Sequence, residues 1–367
     1  MEGGLSAVLG VRGGGGMILK SPRTGSIIDA PGLGSTSLHY AAARNEVDDL
    51  VCLLDGGKGI DGRDLEGRTA LMWAVLKGQH EAARLLVERG ADVDLADAHE
   101  RTALMSAAWR GFDDLAALLL ERGASTHRAD ARGWTALHVA AHFGSAKVVD
   151  ALVSAMADVR DELLAEDGSS ALQWACAAGH VDAAERLLQT SFVSAGHADA
   201  DGQTALMWAA DEGRADAVRL LLGQGADARQ TDKRGRSALV YAARKGNDTA
   251  VDALARAADG GVDAADGDGA TALAHAASEG RASTVILLLS LGASANATDA
   301  QQRSPLAWAA GRGHAAVCDL LLESPGGLEA ARGLDAGGRS PAALARAQGH
   351  GAVADAIDAA VDRLAPD

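Results

Sequence analysis

Apolar positions along the chain fall into short runs that return at a fixed interval. One run opens on a hydroxyl residue and continues through leucine and alanine: Thr36-Ser-Leu-His-Tyr-Ala, Thr69-Ala-Leu-Met-Trp-Ala, Thr102-Ala-Leu-Met-Ser-Ala, Thr135-Ala-Leu-His-Val-Ala. It continues as Ser170-Ala-Leu-Gln-Trp-Ala, Thr204-Ala-Leu-Met-Trp-Ala, Ser237-Ala-Leu-Val-Tyr-Ala, Thr271-Ala-Leu-Ala-His-Ala and Ser304-Pro-Leu-Ala-Trp-Ala, with a worn tenth copy at Ser340-Pro-Ala-Ala-Leu-Ala. The interval is 33 to 36 residues throughout. A fixed period of this size marks stacked supersecondary units, each burying its apolar face against its neighbours.

The second unit shows how each is built. Asp64-Leu-Glu-Gly67-Arg-Thr69 reads as a turn, with Asp opening it and Gly supplying a positive φ. Thr69 is placed to cap a first helix over about Ala70 to Lys77, with Leu71, Ala74 and Val75 on the packed side. Gly78 stops that helix, and a second helix near His80 to Glu88 carries Ala82, Ala83, Leu85, Leu86 and Val87 before Gly90. Helices this short are marginal alone in water, so packing must hold them. The turn recurs at Asp130/Gly133, Asp199/Gly202, Asp232/Gly235, Asp266/Gly269 and Asp335/Gly338, while Glu100 and Gln302 stand in the glycine's place.

This unit resembles the ankyrin repeat, whose 33-residue unit carries a T-P-L-H-x-A signature. The resemblance covers roughly residues 30 to 364 and implies an all-α ankyrin-repeat solenoid of helix-turn-helix units joined by β-turn or hairpin loops. The signature His survives as His39 and His138, whereas Met72, Met105 and Met207 put apolar filler there, which weakens the polar link between turns that the family's His supplies. Residues 1–29, with the run Gly13 to Gly16, read as a flexible leader; residues 30–367 read as about ten repeats, the last a polar cap bearing Asp355, Asp358 and Asp362. Met156 to Glu166, Asp259-Gly-Gly and Ser324-Pro-Gly-Gly depart from the usual exit and are expected to be loose joints where the array opens first.

Composition narrows the function. The chain is 48% hydrophobic with only 3% aromatic residues, and its formal net charge of −16 argues against wrapping nucleic acid. No apolar run approaches the length of a membrane span. Cys52, Cys176 and Cys318 fall in repeats one, five and nine, too far apart to pair, which points to a reducing compartment, the cytoplasm or the nucleus. His138 and His142 have a spacing that can bind zinc, but two ligands without a third rarely suffice, and the structural reading is favoured. Gly56-Gly57-Lys58-Gly59 lacks the glycine and hydroxyl of a phosphate loop and reads as a turn. No nucleophile with a paired base occurs, so no enzyme, cofactor or metal is expected.

The family resemblance implies contacts at the residues flanking the turn glycine and at the end of the first helix. In repeats two to four these include Lys77, His99, Arg101, Trp109, Arg110, Arg132, Trp134, His142 and Phe143. In repeat seven all five are basic: Lys233, Arg234, Arg236, Arg244 and Lys245, beside Asp201, Asp211 and Glu212 of repeat six. Such a strip could steer a partner with an acidic segment. Separately, the position four after each capping residue holds Tyr40, Trp73, Trp174, Trp208, Tyr241 and Trp308, six of eleven aromatics in one column. Exposed aromatics and arginines are typical binding anchors, although rings in such a column equally serve as packing between repeats. Trp109, Trp134 and Phe143 are expected to make repeats three and four the densest exposed aromatic surface. The expectation is a non-enzymatic scaffold binding a protein partner, with an acidic or extended segment, across repeats two to seven. The alternative is a target-recruiting or regulatory subunit of a phosphatase, kinase or ubiquitin ligase.

Overall fold

The computed structural model describes residues 19–20, 27–29, 36–156, 164–258 and 261–363. Of the expected loose segments, Gly13 to Gly16, most of the stretch between Met156 and Glu166, and Asp259–Gly260 lie outside these residues. Inside the expected leader, Leu19–Lys20 and Ile27–Asp29 pair as two short antiparallel strands. The chain divides into two compact units, Met1–Glu166 and Asp167–Asp367.

The first unit contains four helix pairs: Thr36–Ala43 with Val47–Asp55, Ala70–Leu76 with His80–Glu88, Ala103–Arg110 with Asp113–Glu121, and Ala136–His142 with Ala146–Ala155. First helices pack on first helices and second on second. The repeated Leu and Ala positions (Leu38, Leu71, Leu104, Ala74, Ala107) are at most 1% exposed. The second unit holds six more pairs, from Ala171–Ala178 with Val181–Leu188 to Pro341–Ala347 with Gly351–Arg363. The exit from repeat nine, expected to be loose, instead folds into a further helix, Gly327–Arg332, with Ala330 and Ala331 buried.

Local chemistry sets the bounds. Thr69 Oγ1 accepts the Met72 N–H, and the equivalent bond recurs from Thr102, Ser170, Thr204, Thr271, Ser304 and Ser340. The turn glycines adopt positive φ, and Glu100 (φ 62) and Gln302 (φ 60) keep the left-handed conformation although they carry a Cβ.

Neighbouring repeats are tied by two polar ladders. The turns bond in series within each unit: Ala98 N–H donates to Glu66 O at 2.9 Å and Ala131 N–H to His99 O at 3.2 Å, and in the second unit Ala200 N–H donates to Asp167 O at 2.9 Å. The signature-histidine link is made by His39, whose Nε2 lies 2.8 Å from Arg68 O, and in repeat five Gln173 supplies it, Nε2 donating to Gln203 O at 2.9 Å. Buried methionines replace it at Met72, Met105 and Met207, as the sequence implies. A different residue carries a second ladder. The side chain just after the helix-stop glycine reaches back to a carbonyl of the preceding first helix, from Gln79 to Ala43 O, Ser145 to Ala108 O, Arg214 to Ala177 O, Asn247 to Ala210 O, and His314 to Ser278 O. The loss of the signature His is thereby offset.

Candidate partner-docking surface

In repeats two to four and six to ten a turn aspartate organises the exposed face, whereas repeat five has Ala165 there and its Trp174 Nε1 donates to Ser169 Oγ at 2.9 Å. The aspartate's Oδ1 accepts the backbone N–H groups two and four residues on, as Asp64 does from Glu66 and Arg68, both at 2.9 Å. Its Oδ2 accepts from side chains. Trp73 Nε1 donates to Asp64 at 2.9 Å, Trp208 to Asp199 at 3.0 Å, and Trp308 to Asp299 at 3.1 Å. Tyr241 OH donates to Asp232 at 2.8 Å, and His275 Nε2 sits 2.7 Å from Asp266 Oδ2. Where the residue four after the Asp is Arg, its guanidinium also binds Oδ2, and where the column holds a ring it stacks on it: Arg68 lies 4.4 Å above Trp73, Arg236 4.7 Å above Tyr241, and Arg303 3.8 Å above Trp308. Burial opposes ionisation of Asp64, but bonds from Trp73 and Arg68 outweigh it and hold the carboxyl at about 2. Asp97 and Asp232 are held below the ordinary carboxylate range by the same balance. Burial, with donation to Asp232, pushes the Tyr241 hydroxyl up to about 12.

The aromatic column is therefore in large part a brace. Trp73, Trp174 and Trp208 are half-buried, and Trp174 meets Trp208 edge to face with centroids 4.9 Å apart. Tyr241 is buried, and only Tyr40 stands well out, at 66%. Trp134, expected on the exposed aromatic surface, is 9% exposed, because Arg132 covers it at 5.2 Å and His142 packs edge-on at 5.3 Å. Trp109 and Phe143 do stand out, at 45% and 46%, and touch each other edge to face. His142 lies between Trp134 and Phe143, while His138 is buried against the Thr135 cap, Nδ1 3.0 Å from Oγ1. Among the described residues, no three metal-ligating side chains converge.

The basic strip of repeat seven is partly consumed from within. Arg236 binds Asp232, and both Arg244 (2.9 Å) and Lys245 (3.3 Å) pair with Asp211. Lys233 and Arg234 stay exposed. On the first unit Lys77, Arg110 and Arg132 are exposed and make no ion pair among the described residues; Lys77 and Arg110 lie over Trp73 and Trp109 at 5.8 and 5.5 Å. His99 and Arg101 border the same face, Arg101 tied to Asp97 at 2.7 Å.

The brace is missing in two consecutive repeats. Repeat three puts Ser106 in the column and repeat four Val139. Over these small residues the first unit has a cavity of about 450 Å³, floored by Met72, Met105, Ser106 and Val139 and walled by Trp109, Trp134 and Phe143. Arg68, Arg101, Arg132, Glu66, Asp97 and Asp130 also line it. A second cavity of about 360 Å³, bordered by Tyr40, Leu65 and Trp73, shares Glu66 and Arg68 with the first. The column was legible in the sequence; its two gaps were the signal for this cavity.

A repeating pair of short helices with stacked turns defines a helical repeat protein. A family model described as ankyrin repeats (3 copies) matches residues 19–97, 38–130, 95–162, 155–232 and 221–299. The chain belongs to the ankyrin repeat family, whose members are generally protein–protein interaction modules. No curated protein matches it. No helix among the described residues is long and apolar enough to cross a membrane.

Proposed function

We propose that the protein is a non-enzymatic interaction scaffold that holds an extended segment of a partner protein on the turn-and-first-helix face of repeats one to four. The observation that carries this reading is the pair of adjoining cavities, about 450 and 360 Å³, sharing Glu66 and Arg68. Both fall in the range typical of occupied sites, about 300–1,000 Å³. Large apolar groups stand exposed beside them: Tyr40, Leu65, Trp109 and Phe143. Anchors of this kind dominate interface energies, and the unpaired cations Lys77, Arg110 and Arg132 favour a partner with acidic residues beside its apolar ones.

Affinity capture with the wild type, Trp109→Ala/Phe143→Ala, and Ile286→Ala tests this. Ile286 is an exposed apolar residue on the second helix of repeat eight (Ala282–Ser290) and serves as the control. A partner held by the wild type and Ile286→Ala but lost from the double variant supports the reading. Equal capture by all three proteins contradicts it.

A further inference from the structure

Resting on the docking reading above, we propose that the larger cavity takes the indole of a partner tryptophan, its N–H donated to Oδ2 of Asp130. The chain itself supplies the template. In repeats two, six and nine the turn aspartate receives an indole N–H from the column position at 2.9 to 3.1 Å. Asp130 keeps the turn half of this arrangement, its Oδ1 accepting from Arg132 N–H and Trp134 N–H, both at 2.9 Å. The donors for its other oxygen are absent by sequence: Trp134 occupies the arginine position and Val139 the ring position. Among the described residues, Oδ2 of Asp130 accepts no hydrogen bond, and Asp130 lines the cavity. Ser106 leaves the adjoining place empty as well, so Arg101 lacks the ring on which Arg68, Arg236 and Arg303 stack.

The occupant's chemistry follows from the walls. Trp109, Trp134 and Phe143 favour a flat apolar group packed edge to face. The free carboxylate oxygen calls for a donor. A cationic donor is disfavoured, because three guanidinium groups already line the cavity, and Asp97 and Glu66 are taken up by Arg101 and Arg68 at 2.7 and 3.1 Å. A neutral aromatic N–H meets all three conditions. The chain has no spare indole to offer. Trp73, Trp174, Trp208 and Trp308 each donate within their own repeat, Trp109 and Trp134 form the cavity wall, and no aromatic residue occurs in residues 1–35, 157–163, 259–260 or 364–367. A second copy of residues 1–367 is thereby a poor occupant.

The test uses free indole and 1-methylindole, the same ring without the donor, titrated into the full-length ¹⁵N-labelled protein. The Trp109 indole cross-peak, assigned with Trp109→Phe, reports occupancy. Indole is expected to shift it and to bind at least about 10-fold tighter than 1-methylindole, the ratio expected for a hydrogen bond to a charged group. Asp130→Asn keeps the Oδ1 acceptor for the turn but replaces Oδ2 with a donor; it is expected to remove the preference and leave 1-methylindole binding unchanged. Ser106→Trp, which puts the chain's own ring into the cavity, is expected to abolish binding of both probes. Equal affinity for the two probes, retained preference in Asp130→Asn, or no binding of indole overturns the proposal. None of those outcomes touches the docking reading, which is tested by capture and affinity of a protein partner.

Discussion

The turn is where single residues matter most. Gly133 has φ 77, and a Cβ there would sit 2.6 Å from the Glu166 N–H nitrogen, so Gly133→Ala is expected to destabilise the first unit by about 2 kcal/mol or more. Glu100 and Gln302 are the converse case. Both hold a left-handed backbone at a cost of roughly 1–2 kcal/mol, offset in part by the entropy a glycine loses on folding. Glu100→Gly and Gln302→Gly are therefore expected to stabilise by up to about 1 kcal/mol, read from the shift in urea midpoint. A lower midpoint for either glycine variant would show that these side chains contribute more than their backbone strain costs.

Between the residue and the repeat lies the brace of Asp, Arg and ring, and its absence in repeat three is a vacancy the chain could fill itself. Ser106→Trp would place a ring under Arg101 with its N–H toward Asp97, as Trp73 stands to Arg68 and Asp64. A cation–π contact and the added burial make this variant more stable, by about 1 kcal/mol, in thermal melts followed by circular dichroism. Much of this element was legible in the sequence. The cap at Thr69, the turn glycine at Gly67 and the helix His80–Glu88 depend on neighbours a few residues away, and local chemistry decides them. The ring column was legible as a period, but its partner was not. The bond from Trp73 to Asp64 spans nine residues across a turn, and nothing in the spacing says whether a ring faces solvent or its own turn. Trp134 departs for the same reason: its position holds an arginine bound to the turn aspartate in repeats two, three, seven, nine and ten, whereas the bulky ring in repeat four folds under Arg132. The repeat-seven cations are partly neutralised, because Asp211, one repeat earlier, lies within reach of Arg244 and Lys245, while Lys233 and Arg234 stay exposed.

At the scale of the whole chain the same carboxylates set the response to acid. Asp64 is held at about 2 against an ordinary value of 3.8, and Asp97, Asp232 and Asp335 are lowered too. A carboxyl depressed on folding contributes stability that is complete above its unfolded pKa and is lost as pH falls through the folded one. The melting temperature is thus expected to hold steady from pH 7 to about 5 and to fall steeply between about 4 and 2, the window set by those shifts. Asp64→Asn is expected to lower stability at neutral pH by about 1–2 kcal/mol, through the weakened bonds to Trp73 and Arg68, and to flatten that fall. A melting temperature indifferent to pH down to 2 would remove the turn aspartates from this role.

The most direct measurement is the dissociation constant of a captured partner for the wild type, for Trp109→Ala/Phe143→Ala and for Ser106→Trp, with each variant's melting temperature recorded alongside. If the interrupted column is the docking site, both variants bind at least about 10-fold more weakly, and Ser106→Trp does so while melting higher than the wild type. Undiminished affinity in a folded Ser106→Trp protein, whose cavity is filled, would contradict it.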